Sequence, residues 1–133
     1  IRPVQLVCAG SGLADDAAAR PTGSAIQNCG YSYVNMFGAV RPQWDNERAT
    51  IILADANPLF AATPTRNPEA NSFNHGGKGS YVLRADGEVT WETSPDIGPG
   101  RDNIWTIRDG SERVTAYVGT ETAGSTGDVF LSP

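Results

Sequence analysis

Long apolar runs, clustered basic residues and a second histidine are all missing from these 133 residues. No stretch approaches the roughly 20 apolar residues that a membrane span needs, and Ile1 to Cys8 is interrupted by Arg2, Pro3 and Gln5. Any link to a membrane would require an amino-terminal helix that this sequence does not include. The ten Lys and Arg residues are scattered singly from Arg2 to Arg113 in a chain of net charge −5, which excludes an electrostatic footprint for nucleic acid. Nucleotide binding is excluded on similar grounds. In the Gly76 to Ser80 string Lys78 is followed by Gly79 where a phosphate loop has Ser or Thr, and Ser72 occupies the upstream position that must be glycine. Two cysteines and one histidine in no recognisable spacing make no zinc fingerprint. No Asn-Xaa-Ser/Thr acceptor occurs, so any glycan would sit on Ser or Thr.

Glycine and proline are abundant instead. Fifteen glycines and nine prolines in a chain that is 39% hydrophobic predict many turns and few long helices, hence a β-rich domain spanning residues 1–133. A domain of this length buries around two thirds of its unfolded surface. Thr50 to Ala54 is a continuous apolar run of strand length and the best candidate for a central strand. Further strands are expected at Arg2 to Val7, Tyr31 to Phe37, Asn103 to Ile107, Arg113 to Val118 and Asp128 to Leu131, with a short helix near Asp15 to Arg20. Pro58, Pro64 and Pro68 enforce a loop from about Ala56 to Gly79, a length that is usually functional or an insertion. The terminal strand, reached through the small polar segment Gly119 to Gly127, reads as exposed and able to pair with a neighbouring subunit. Its removal should then leave a folded monomer.

The richest stretch runs from Asn71 to Pro95. Ser80 to Ala85 and Glu88 to Glu92 are β-formers separated by Asp86-Gly87, which predicts a two-residue hairpin with Ala85 facing Glu88. That register places Val82, Arg84, Val89 and Trp91 on one face, with Trp91 as a buried anchor, and Tyr81, Leu83, Glu88, Thr90 and Glu92 on the other. Just upstream, the lone His75 is followed by glycines at 76, 77 and 79 that would supply positive φ angles.

The order of Asn74-His75-Gly76-Gly77, a short apolar strand, Asp86-Gly87 and a second strand resembles the bacterial prepilin-type, processing-associated family, defined by a histidine followed at fixed distance by Asp-Gly. The flanks Thr50 to Phe60 and Asp102 to Thr106 look like the segments around that motif, so the resemblance covers residues 31–107. Two details depart from the pattern. Ten residues separate His75 from Asp86, one more than usual, and Glu88 stands where many members have a second histidine. The resemblance implies an α+β, predominantly antiparallel head of pilin or pseudopilin type with long loops, here without its amino-terminal apolar helix. It further implies a non-enzymatic, exported subunit of a cell-surface filament or type II secretion-like apparatus, whose partners are itself or related pilin-like subunits.

Within that frame, Cys8 and Cys29 are expected to form a disulfide, contributing roughly 3 kcal/mol by closing the intervening loop. His75 is read as a loop organiser bonding backbone groups; the enzymatic alternative pairs it with Asp86 or Cys29. As a functional residue His75 would be a general base or a metal ligand, and the metal that the resemblance raises is calcium, because some pseudopilin heads bind it, with Asp55, Asp86, Asp96 and Asp102 as its candidate ligands. Against this stands the ordinary use of Asp in turns. No other cofactor is expected. Trp91 and Trp105 are assigned to the core, and Trp44, in the polar stretch Arg41 to Arg48, to an exposed contact. A secreted calcium- or carbohydrate-binding module is the alternative function.

Overall fold

The apolar run at Thr50 to Ala54 becomes β2 (Ile51–Asp55), and it is central. It pairs antiparallel with β1 (Tyr31–Val34) on one side and β3 (Ser80–Arg84) on the other. β4 (Val89–Glu92) then adds to β3, and the carboxy-terminal β7 (Leu131–Ser132) adds to β1, giving the order β4-β3-β2-β1-β7. A separate two-stranded ribbon joins β5 (Ile107–Asp109) to β6 (Glu112–Val114). The computed structural model describes Cys8 and residues 30–35, 50–60, 65, 67–109, 112–114 and 121–133. Cys29, Trp44, the strand expected at Arg2 to Val7 and the helix expected at Asp15 to Arg20 lie outside them. Among the described residues helical structure is confined to three short 3-10 turns, Pro58–Phe60, Asn74–Gly77 and Pro99–Arg101, so the architecture is β-rich as composition implied. No helix among these residues is long and apolar enough to cross a membrane.

One face of the large sheet makes the core. Val34, Ala54 and Val82 project from β1, β2 and β3 against Ile104, Trp105, Val129 and Leu131, all of them buried. The covering segment is irregular, so its backbone groups need side-chain partners. Asn57, almost fully buried, supplies them: its Nδ2 donates to Trp105 O at 3.1 Å and Leu131 O at 2.8 Å, and its Oδ1 accepts from Leu59 N–H at 2.9 Å. Its own N–H donates to Ser32 Oγ at 2.8 Å, so one residue ties β1, the core cover and β7 together.

Three sequence expectations are corrected here. The β3–β4 hairpin closes through Ala85, Asp86 and Gly87, with Gly87 N–H donating to Arg84 O at 3.0 Å and Arg84 N–H to Glu88 O at 2.9 Å. Gly87 has φ +88°, the left-handed residue of a three-residue turn with a glycine bulge. The register is therefore Tyr81 opposite Trp91 and Leu83 opposite Val89, one residue away from the two-residue expectation. A slip of one residue turns side chains to the other face. Trp91 and Val89 accordingly lie outside, 41% and 61% exposed, while Trp105 is core at 1%.

The second correction concerns the carboxy-terminal strand. Val129, Phe130 and Leu131 are buried, β7 pairs with β1, and Leu131 N–H donates to Ile104 O at 3.0 Å. This segment completes the core and is no free arm. The third is local: Asn103 to Ile107 is not a strand. Asn103 makes an isolated bridge with Asp96, its Oδ1 accepts from Trp105 N–H at 3.0 Å, and the chain turns before β5 begins at Ile107.

Candidate functional site

The long proline-containing loop returns over the outer face of the sheet and delivers His75 to the end of β2. Two local features make this possible. His75 has φ +55°, followed by Gly76 and Gly77 at φ +69° and +72°, so the chain reverses sharply within the Asn74–Gly77 turn. Gly79, by contrast, is needed for contact and not for φ: a Cβ there would stand 2.5 Å from Glu92 O and 2.6 Å from Trp91 Cζ2. The His75 ring then packs edge-on against Tyr81 and Trp91, with centroids 5.4 and 5.5 Å away. Those two aromatic rings contact each other at 4.9 Å.

His75 Nε2 faces two side chains from distant parts of the sequence. Cys8 Sγ shares a hydrogen bond with it at 3.4 Å, and Asp55 Oδ2 lies 3.4 Å away. The three donor atoms are all within 4.8 Å of one another, and this is the one group of three or more His, Cys, Asp and Glu side chains of such closeness among the described residues. Cys8 and Asp55 are buried, whereas the His75 side chain keeps 26% of its surface. Asp55 is rigidly held. Its Oδ1 accepts from Asn74 Nδ2 at 3.1 Å and its Oδ2 from Tyr81 N–H at 2.8 Å, while Asn74 Nδ2 also donates to Gly30 O at 2.8 Å. Gly30 matters because a Cβ at that position would collide with the Cys8 backbone. The Asn74–Gly77 turn, β2, β3 and Cys8 thus meet around one point.

The sequence-derived sites are partly dispersed. His75 Nε2 faces the side chains of Cys8 and Asp55, where a loop organiser would bond backbone groups, and its carboxylate neighbour is Asp55 from β2. Asp86 sits exposed in the hairpin turn, where its Oδ1 accepts from Glu88 N–H at 2.9 Å, and Gly87 provides the left-handed turn residue. Asp96 lies at the bridge to Asn103, with its N–H donating to Ser94 Oγ at 3.2 Å. Asp55, Asp86, Asp96 and Asp102 therefore do not gather as a group of ligands. Cys29, the expected disulfide partner and the alternative nucleophile, lies outside the described residues, among which there is no disulfide. Trp44 likewise lies outside the described residues.

Asp102 belongs to a different cluster. It is buried under the core cover, its Oδ2 accepting from Val129 N–H at 2.7 Å and its Oδ1 lying 3.7 Å from Arg108 Nε. Burial pushes its carboxyl up from 3.8 to about 6, opposed by the Val129 hydrogen bond, raised further by neighbouring Asp128, and opposed again by Arg108. Asp128 itself accepts from Gly124 N–H at 2.6 Å and Arg108 N–H at 3.4 Å. These bonds explain the pair as an organiser of the 124–129 segment.

Sequence reasoning missed Cys8 as a neighbour of His75, and it missed Tyr81 and Trp91 as the aromatic walls. No spacing signal connects them, since the contacts arise from sheet pairing and loop return. Compared with protein-family models, with curated proteins and with solved structures, the chain matches none.

Proposed function

We propose that this domain is a structural subunit, a pseudopilin-like head of α+β, pilin type, which acts by self-assembly in a cell-surface filament or secretion-like apparatus. The observation that carries the reading is the β4 edge. Among the described residues β4 is one of the two outer strands of the sheet, and Val89 and Trp91 on it, with Tyr81 beside them on β3, expose apolar surface along that edge. Unprotected edges of this kind are templates for another strand, and charge or proline is the usual means of blocking them. β4 has neither on its outer face. The partner that fits is another copy of this chain presenting the opposite edge of its sheet, β7, because a head-to-tail contact between unlike edges repeats into an open filament, whereas a contact across a two-fold axis closes at a dimer. Export to the cell surface is part of this reading and follows from the family resemblance. Catalysis has no part in it.

Val89→Lys puts a charge on the edge face, while its side chain stays outside the core. Light scattering of the full chain across a hundredfold concentration range should show assemblies for the parent and monomer for V89K. A parent that stays monomeric at the highest concentration would end the proposal. The carbohydrate-binding alternative retains one favourable observation, the adjoining exposed rings of Tyr81 and Trp91. Glycan binding by a monomer that Trp91→Ala abolishes would transfer the assignment to it.

A further inference from the structure

Cys8, Asp55 and His75 meet at a point where no two of them are neighbours in sequence, and the cluster brings a thiol, a carboxylate and an imidazole to one spot. An ion pair between imidazolium and carboxylate joins at about 2.7–2.9 Å through its hydrogen bond. The Asp55 to His75 distance is 3.4 Å, too long for that bond. A proton relay is also excluded by orientation, because a relay places the nucleophile and the carboxylate on opposite ring nitrogens, and here both face Nε2. What these distances do match is the edge of a ligand tetrahedron. With metal bonds of about 2.3 Å to sulfur and about 2.0 Å to nitrogen and oxygen, tetrahedral angles separate sulfur from nitrogen by about 3.5 Å and nitrogen from oxygen by about 3.3 Å. The observed 3.4 Å and 3.4 Å agree with both, and the sulfur and oxygen lie within 4.8 Å of each other, close enough for a small adjustment to complete the set.

We infer that Cys8 Sγ, Asp55 Oδ2 and His75 Nε2 form a three-ligand site for a borderline divalent transition ion, with zinc the best match. The donor set decides the class. Calcium takes six to eight oxygen ligands, and this cluster offers one carboxylate beside a thiolate and an imidazole. The site is also supported from behind. Asn74 and the Tyr81 N–H fix both oxygens of Asp55, which is the usual role of groups behind a metal-binding carboxylate. Oδ2 retains a lone pair after accepting from Tyr81. His75 is the most exposed of the three, 26% against 1% for Asp55, so an ion would enter from its side, with water as the fourth ligand. Binding displaces the proton of the Cys8 thiol to buffer, so affinity rises with pH.

The full chain, stripped with a chelator and kept reduced, is titrated with Co²⁺ as a spectroscopic substitute for zinc, followed by displacement with Zn²⁺. The expected result is one equivalent of Co²⁺ with a thiolate-to-cobalt charge-transfer band and intense tetrahedral visible bands, both erased by Zn²⁺. Cys8→Ser should remove the charge-transfer band. His75→Asn, which tolerates the left-handed backbone, should weaken binding by well over tenfold. Asn74→Ala should weaken it about tenfold or more through Asp55. Glu69→Gln, at an exposed turn away from the cluster, should leave it unchanged, and circular dichroism of each variant distinguishes lost binding from lost fold. Absence of a charge-transfer band in the reduced, folded parent would overturn the inference. So would binding undiminished in folded His75→Asn, or a Cys8 sulfur that thiol titration finds locked in a disulfide under reducing conditions.

Discussion

The two faces of the large sheet carry similar kinds of residue to opposite ends. The inner face sets Val34, Ala54, Val82 and Leu131 against Trp105 and Ile104, with Asn57 satisfying the irregular cover. The outer face carries Tyr33, Tyr81, Val89 and Trp91, all substantially exposed, together with the Cys8, Asp55 and His75 cluster. Aromatic and aliphatic side chains are therefore no guide to the core in this protein. What separates the faces is coverage: residues 96–107 and 128–131 close the first, while among the described residues the second is covered by the short glycine-rich turn around His75 and by Cys8. The buried apolar packing lies on one side of the sheet and the Cys8, Asp55 and His75 cluster on the other.

Substitutions of similar size on the two faces should therefore have unequal effects. The largest is expected from removing Asp128 to Pro133, which takes Val129, Phe130 and Leu131 out of the core and leaves Asn57 without its Leu131 partner. Cooperative unfolding monitored by tryptophan fluorescence should disappear. A truncated protein that still melts cooperatively would mean that the inner face is sufficient without β7. Next, Trp105→Ala should cost about 3–5 kcal/mol by chemical denaturation, the usual penalty for emptying a large core site. Asn57→Ala follows at about 3 kcal/mol, because it strands the carbonyls of Trp105 and Leu131 and the N–H of Leu59, all beneath the cover.

A pH effect of comparable or smaller size belongs to Asp102. Its folded carboxyl titrates at about 6 against 3.8 as reference, so between these values the folded state binds more protons than the unfolded state. Its contribution to stability is thus fully present below about pH 4 and is lost as the pH rises through 6, by up to about 3 kcal/mol for two pKa units. Urea midpoints of the parent and Asp102→Asn, compared at pH 4 and pH 7, should differ in slope in that direction. Parallel pH profiles would show that Asp102 is solvated normally. The smallest effect is expected on the outer face, where Trp91→Ala forfeits edge contacts with His75 and Tyr81 worth about 1 kcal/mol. A loss as large as that of Trp105→Ala would erase the distinction between the faces.

Legibility in the sequence followed the range of the interaction. β2 and its central place could be read from one apolar run, and the hairpin from β-formers flanking Asp86-Gly87. The register could not, because Asp-Gly serves both a two-residue turn and the last two positions of a three-residue turn. That single residue decided whether Trp91 was inside. The carboxy-terminal strand was misjudged for a different reason: its polar approach from Gly119 to Gly127 resembles a linker, yet Asp128 anchors that approach at Gly124 and Arg108. Of the candidate site, His75 and Asp55 were singled out individually, and Cys8 only as half of a disulfide.

Composition and local pattern determined by themselves that this chain is β-rich, turn-dense and free of long apolar runs, since those properties depend on residues close together in sequence. Only the tertiary structure decided which aromatic residues are core and which are surface, and which acid and which thiol stand beside the lone histidine. Those outcomes depend on strand register and on the return of a long loop over the sheet, and both are fixed by contacts between residues that are far apart along the chain.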